Sequence, residues 1–155
     1  MSADLGDLAP VFVLPGIEQG ERRTFSLEQY RGAPVVLAFY PGDNTPGCTA
    51  QLCSYRDEIE SFADLGAALL GISPQSVDSH DGFATKRSLP FPLLADTDLA
   101  VAKEYGVAAP IIHVRRSIFI LDGEGIIRYK HVALVGITHR RPAQLLRVLE
   151  SLTGA

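Results

Sequence analysis

Tryptophan is absent from this 155-residue chain, and its one methionine is the first residue. Long apolar runs are absent too. The longest, Val35–Tyr40 and Ile118–Leu121, fall far short of the roughly 18 residues that a membrane span requires. Basic charge is not in excess: fourteen Lys and Arg stand against eighteen Asp and Glu, a formal charge of -4. A field of that sign does not gather phosphate backbones, so nucleic acid is not an expected partner, beyond at most a local patch at Arg115-Arg116. The sequence holds no G-x-G-x-x-G, no P-loop and no nucleophile elbow, which removes the usual nucleotide and serine-hydrolase readings. Its four histidines, His80, His113, His131 and His139, are scattered, with no H-E-x-x-H and no helical metal-ligand spacing. His113 is read as a surface residue or as one lining a pocket mouth. Two cysteines, Cys48 and Cys53, do not make a four-ligand zinc set. No metal or cofactor is therefore expected.

The acidic opening residues lack a basic n-region followed by an apolar h-region, so the expected location is the cytosol, in a cytoplasmic protein. Thiols there are kept reduced, which makes two cysteines a poor structural staple. If Cys48 and Cys53 pair, the bond is transient and catalytic; the other reading is two unrelated buried thiols.

What is present is an ordinary globular composition. Apolar residues make up 46% and charged residues 21%, too apolar for disorder and enough for one domain spanning residues 1–155. A short apolar run at Val11–Leu14 precedes a Gly- and charge-rich turn at Gly16–Arg23. Phe25–Tyr30 reads as a strand end entering a helical turn, with Ser26 as N-cap. Val35–Tyr40 is continuously apolar and ends at Pro41-Gly42, as a strand buried on both faces does. The spacing of Leu52, Tyr55, Ile59 and Phe62 predicts a helix over about 46–62, ended before Gly66.

A second buried strand follows at Ala67–Ile72, then a helix at Ser76–Arg87. Leu89–Leu94, broken by Pro90 and Pro92, is at most a short extended segment. A short helix at Asp98–Tyr105 is capped by Asp96 or Asp98 and stops at Gly106. Ser117–Leu121 and Ile126–His131 flank Asp122-Gly-Glu-Gly125 as a hairpin. An amphipathic helix, Arg141–Leu152, closes the chain with Leu145, Leu146, Val148, Leu149 and Leu152 inward. The alternation specifies an α/β protein, a central mixed β-sheet flanked by helices. Its order is that of a thioredoxin-like fold with an N-terminal extension.

The chemistry concentrates in Pro41-Gly-Asp-Asn-Thr45-Pro46-Gly47-Cys48. With Thr45 at the N-cap, Pro46 is the first helical residue, where its missing N–H costs nothing, and it holds Thr45 extended. Cys48 is then the third helical residue. Unpaired N–H groups and the positive end of the helix dipole converge there, and both favour an anion. The blander reading is a good helix start beside an inert small residue. Cys53 lies five residues on. On an intact helix the two Cα atoms stand roughly 8.6 Å apart, whereas a disulfide needs them within roughly 7 Å. Pairing therefore requires the first turns to unwind.

Phe39 to Asp57 resembles the active-site segment of the peroxiredoxins, and in particular the peroxiredoxin Q, or bacterioferritin comigratory protein, group. The hallmark P-x-x-x-T-x-x-C is met by Pro41, Thr45 and Cys48, and a cysteine five residues further marks the subgroup. The likeness runs through Leu70–Pro74, Phe91–Asp96, Tyr105–Val107 and Arg116–Asp122, roughly residues 5–150. It implies a thiol-dependent, thioredoxin-dependent peroxidase. Cys48 would attack the O–O bond and become a sulfenic acid. Thr45 would donate its hydroxyl toward the sulfur or the peroxide, in competition with accepting from the Cys48 N–H as a cap. Pro41 would shield the pocket from water. An arginine would stabilise the anions; the family pattern selects Arg116, and its neighbour Arg115 would face the other way on a strand. Cys53 would resolve the sulfenic acid as an intramolecular disulfide, which thioredoxin or a similar dithiol protein would reduce.

Arg56 would support the site from behind, with Arg56 and Asp57 pairing to other elements. Hydrogen peroxide and organic hydroperoxides are the implied substrates, and the implied state is a monomer or weak homodimer. The chain departs from the family pattern between Gly106 and Arg116, where a polar, lysine-bearing stretch is replaced by apolar residues. Pro110-Ile111-Ile112 is open to three readings: a dimer contact, a pocket wall or ordinary core. Other functions weighed are a thioredoxin-like disulfide oxidoreductase, which the four residues between the cysteines do not suit, a copper-handling protein, and a redox-responsive binding protein.

Overall fold

A computed structural model of the chain describes residues 3–133 and 140–153. Among the described residues, nine strands and five α-helices follow one another: β1 (Val13–Glu18), β2 (Glu21–Ser26), β3 (Val35–Phe39), α1 (Pro46–Asp57), α2 (Ile59–Asp64), β4 (Ala68–Ser73), α3 (Val77–Arg87), β5 (Leu93–Ala95), α4 (Ala100–Glu104), β6 (Ala108–Ala109), β7 (His113–Val114), β8 (Ser117–Leu121), β9 (Ile127–Val132) and α5 (Pro142–Thr153). Seven strands form one sheet in the order β2-β1-β5-β4-β3-β8-β9. β3, β4 and β5 are parallel neighbours, and the outer pairs are antiparallel. This is the expected mixed sheet of a thioredoxin-like fold.

The apolar run behind β3 sits at the centre because both its faces are covered. Successive side chains of a strand point to opposite sides. Val35, Leu37 and Phe39 join one core with Tyr105, Phe119, the Leu27–Tyr30 3-10 helix and the N-terminal segment. Val36, Ala38 and Tyr40 join the other, under α1, α2, α3 and α5, through Leu52, Tyr55, Phe62, Phe83, Leu145 and Leu149. Ser117–Leu121 is buried throughout and pairs with β3 from Val35↔Leu121 to Phe39↔Ser117.

Several expectations needed correction. The segment read as a turn over Gly16–Arg23 is mostly strand: β1 and β2 pair from Val13↔Ser26 to Glu18↔Glu21, leaving only Gln19 and Gly20 as the turn. Both take positive φ, 50° and 83°, so two residues suffice and the charged side chains lie along an exposed strand edge. The helix expected over 46–62 is two helices, broken at Glu58 (φ -112°, ψ 16°), with neither proline nor glycine to announce it. Asp96 and Asp98 both cap α4, but that helix begins late, at Ala100, because Leu99 takes a left-handed conformation (φ 62°). Pro110-Ile111-Ile112 is not core. It is the exposed tip of the β6–β7 ribbon, with Ile111 94% exposed. The Arg115-Arg116 patch does not exist either, because Arg116 is buried. His113 is exposed on that ribbon, and His139 lies outside the described residues.

Candidate active site

The site is built where β3 hands the chain to α1. Proline at the first helical position and extended geometry at Thr45 (φ -78°, ψ 147°) start α1 as expected. Cys48 is the third helical residue and completely buried, and Cys53, further along the same helix, is partly exposed; both are free thiols. Because α1 runs unbroken through both, its geometry holds them apart.

Thr45 does not cap with its side chain. Its hydroxyl donates to the Gly42 carbonyl at 2.9 Å, which closes the loop on itself and commits the hydroxyl hydrogen to that carbonyl. The Thr45 carbonyl, by contrast, accepts from the Thr49 N–H at 2.8 Å and so begins the helical ladder. Pro41 is half-buried, and its carbonyl accepts from the Gln75 amide at 3.1 Å.

Arg116 comes to this helix end from the other side of the chain's middle. It precedes β8, the strand paired with β3, and only 4% of it is exposed. Its Nη1 donates to Gln51 Oε1 at 2.6 Å. A Cβ built on Gly47 would stand 3.0 Å from its other terminal nitrogen, so the guanidinium lies against the first turn of α1, the turn that carries Cys48. Gln51 in turn donates to the Tyr55 hydroxyl at 3.1 Å, and Tyr55 donates to the Arg140 carbonyl at 2.8 Å. Burial pushes the Tyr55 phenol up, against the Gln51 amide and the Arg116 charge, which pull it down. It thus stays a donor at neutral pH, and one line of bonds runs from the guanidinium to the start of α5.

Arg115 is partly exposed and turned from this network; its backbone N–H donates to the Val107 carbonyl and its carbonyl accepts from Ser117. Arg115 and Arg116 lie between β7 and β8 rather than on a strand, and they differ in burial: Arg116 is buried and Arg115 is partly exposed. Among the described residues Arg56 pairs with its own neighbour Asp57 rather than with another element's acid, and it donates to the Arg87 carbonyl at the end of α3 at 2.7 Å.

Sequence reasoning missed two residues of the loop's surroundings. Asp43 and His80 meet at 2.7 Å with side chains 1% and 0% exposed. Gln51 was also passed over, since a lone glutamine in a helix gives no local sign that it is buried. The separation of 37 positions between Asp43 and His80 hides their contact from any local pattern.

The arrangement places a fully buried thiol in the first turn of a helix, with a guanidinium against the same turn. Such a setting suits attack by sulfur on a small neutral electrophile and stabilises the anions on either side of it.

Residues 5–130 match the AhpC/TSA family. Among similar proteins, a putative peroxiredoxin bcp of Coxiella burnetii is 40% identical over 134 residues, 82% of this chain and 87% of that protein. A chloroplastic peroxiredoxin Q of Triticum aestivum is 41% identical over 126 residues, 80% of this chain. The match spans only 57% of the wheat protein's length. Among solved structures, the peroxidoxin BcpB of Mycobacterium tuberculosis superposes with a TM-score of 0.84 at 30% identity, over 97% of this chain and 98% of that one.

Proposed function

This chain belongs to the AhpC/TSA family and is a peroxiredoxin-type enzyme of the Q and Bcp kind, and from that premise we propose that it reduces hydrogen peroxide and organic hydroperoxides through Cys48. The Cys48 sulfur attacks one peroxide oxygen. An S–O bond forms as the O–O bond breaks, and the second oxygen leaves as water or an alcohol after taking a proton. Cys48 is left as a sulfenic acid. The Arg116 guanidinium, fixed by Gln51, balances charge on the sulfur and on the leaving oxygen. Pro41 walls the site, and Thr45 serves it once its hydroxyl rotates from the Gly42 carbonyl.

Cys53 then attacks the Cys48 sulfur, an S–S bond forms, and water departs. A dithiol protein of the thioredoxin kind reduces the disulfide by exchange. The burial of Cys48 and the unbroken α1 together require that this second half of the cycle begin with unwinding of the first turns.

The observation that carries the reading is the placement of Cys48 in the first turn of α1 with Arg116 pressed against that turn. The test is peroxide consumption coupled through thioredoxin and its reductase. Turnover is expected in the wild type and should vanish in Cys48→Ser; full turnover in that variant would sink the assignment.

A further inference from the structure

We infer that His80 is a positioning residue for the reaction at Cys48, acting through Asp43 on the loop that walls the thiol; this rests on the peroxidase reading above. Residues Tyr40 to Thr45 form the whole link between β3 and α1, and α3 together with the segment before it holds that link from outside. Gln75 donates to the Pro41 carbonyl at 3.1 Å and accepts from the Asp43 N–H at 3.2 Å. The Asp43 carboxylate takes three side chains. Tyr40 donates to Oδ1 at 2.7 Å, while Ser79 donates to Oδ2 at 2.7 Å and His80 Nδ1 meets the same oxygen at 2.7 Å. Burial first, and then the carboxylate beside it, hold the Tyr40 hydroxyl well above the usual phenol range, so it remains a donor here.

His80 has a fixed orientation. Its Nε2 faces the Leu94 carbonyl at 2.9 Å. A carbonyl only accepts, so Nε2 carries a hydrogen. Nδ1 is thereby aimed at Asp43, with the Nδ1 and Oδ2 atoms sharing one further proton. The imidazole is a strut, seated on β5 at one end and bearing on the loop at the other. Asn44, next to Asp43, takes φ 62°, a left-handed conformation that costs less for asparagine than for most residues but still needs holding. Asp43 holds it on one side and the Thr45 hydroxyl, bonded to Gly42, on the other. The residues that start α1, and with them the first turn carrying Cys48, take their position from this loop. His80 touches neither sulfur nor peroxide in this scheme.

Two amides separate positioning from mere support. In His80→Asn the amide nitrogen replaces Nδ1 and still donates to Asp43, while the Leu94 carbonyl loses its donor. In His80→Gln the amide reaches Leu94 and Asp43 loses its partner. Reduced protein is mixed with hydrogen peroxide in single turnover, quenched with a thiol reagent, and Cys48 oxidation is followed by mass. A wild type that does not oxidise at Cys48 removes the peroxidase reading and this inference with it. Where the wild type reacts, His80→Gln is expected to be slowed by at least about tenfold, as a misplaced reacting group is. His80→Asn is expected to react several-fold faster than His80→Gln, although both lose one buried bond and both melt lower. A His80→Gln as fast as the wild type, or a His80→Asn as slow as His80→Gln, overturns the inference and leaves the peroxidase reading standing. Should His80→Gln fail to fold, Asp43→Ala cuts the loop from the same strut: slowing on a similar scale supports the inference, and an undiminished rate overturns it.

Discussion

Arg116 Nη1 and Gln51 Oε1 stand 2.6 Å apart, both buried, and Gln51 lies between the two cysteines on α1. In the proposed cycle, the guanidinium against the first turn of α1 is therefore tied to the segment that would unwind before Cys53 reaches Cys48. The reduced site and the Arg116–Gln51 bond stand or fall together.

Gln51→Leu removes that acceptor from a buried charge while keeping the helix. Cys48 oxidation by hydrogen peroxide should slow by about tenfold, the scale of one misaligned electrostatic group. Gln51→Glu, which still accepts, should retain more of the rate than Gln51→Leu. Equal rates for the two variants and the wild type would remove Gln51 from any part in the site.

The disulfide should cost α1 its first turns. Hydrogen exchange in reduced protein should show protected amides through residues 49–57, the ladder that begins with Thr49 N–H to Thr45 carbonyl. Oxidised protein should lose that protection over about residues 49–53, because the intact helix keeps the Cα atoms roughly 8.6 Å apart. A confirmed Cys48–Cys53 bond with protection unchanged would refute the unwinding step. Cys53→Ser should complete the first reaction and then stall with thioredoxin.

Gly47→Ala sets stability against rate. Alanine suits a helix better than glycine by at most about 1 kcal/mol, but its Cβ would meet the Arg116 guanidinium at 3.0 Å. The variant should melt at or slightly above the wild-type temperature and still react with peroxide more slowly. A variant with unchanged reactivity would mean that the guanidinium's closeness to the first turn of α1 is incidental.

Acid should weaken the join between β9 and α5. His131 Nδ1 lies 3.1 Å from an Arg140 terminal nitrogen. A guanidinium only donates, so the bond needs a neutral ring. Burial, then the Arg140 charge, lower the His131 value in the folded protein. As pH falls through the ordinary histidine value of about 6.5, the unfolded chain takes the proton first. Stability is lost from there down to the lower folded value. His131→Gln keeps an acceptor for Arg140 without the titration. Its melting temperature should fall less than the wild type's between about pH 7.5 and pH 5.5. Parallel declines in the two proteins would exclude His131 as a source of that loss.

The parts of the site that a reader of the sequence can see are those made by neighbours in the chain. Thr45, Pro46 and Cys48 are placed by one helix start, and the buried strand before them is marked by its unbroken apolar run. Arg116 was legible through its resemblance to a motif, while its burial, just ahead of a strand buried throughout, was not. The break at Glu58 was not legible, because helix α2 and Phe62 are set by what the core beneath them accepts. The β1–β2 hairpin was hidden by its charged outer strand, whose residues 21–24 are all exposed.

The amino-acid order alone determined the helix N-terminus that carries Cys48, the mixed α/β alternation and the separation of the two thiols by five residues. These depend on short-range sterics, capping and periodicity, which act within a few residues. Only the tertiary structure decided that Thr45 turns its hydroxyl to Gly42, that Arg116 is held by Gln51, and that Asp43 and His80, 37 residues apart, are buried against each other. Those choices rest on which polar groups are left facing one another once water is excluded from the core. A buried donor must find an acceptor wherever the fold brings one, and no local pattern in the chain says where that will be.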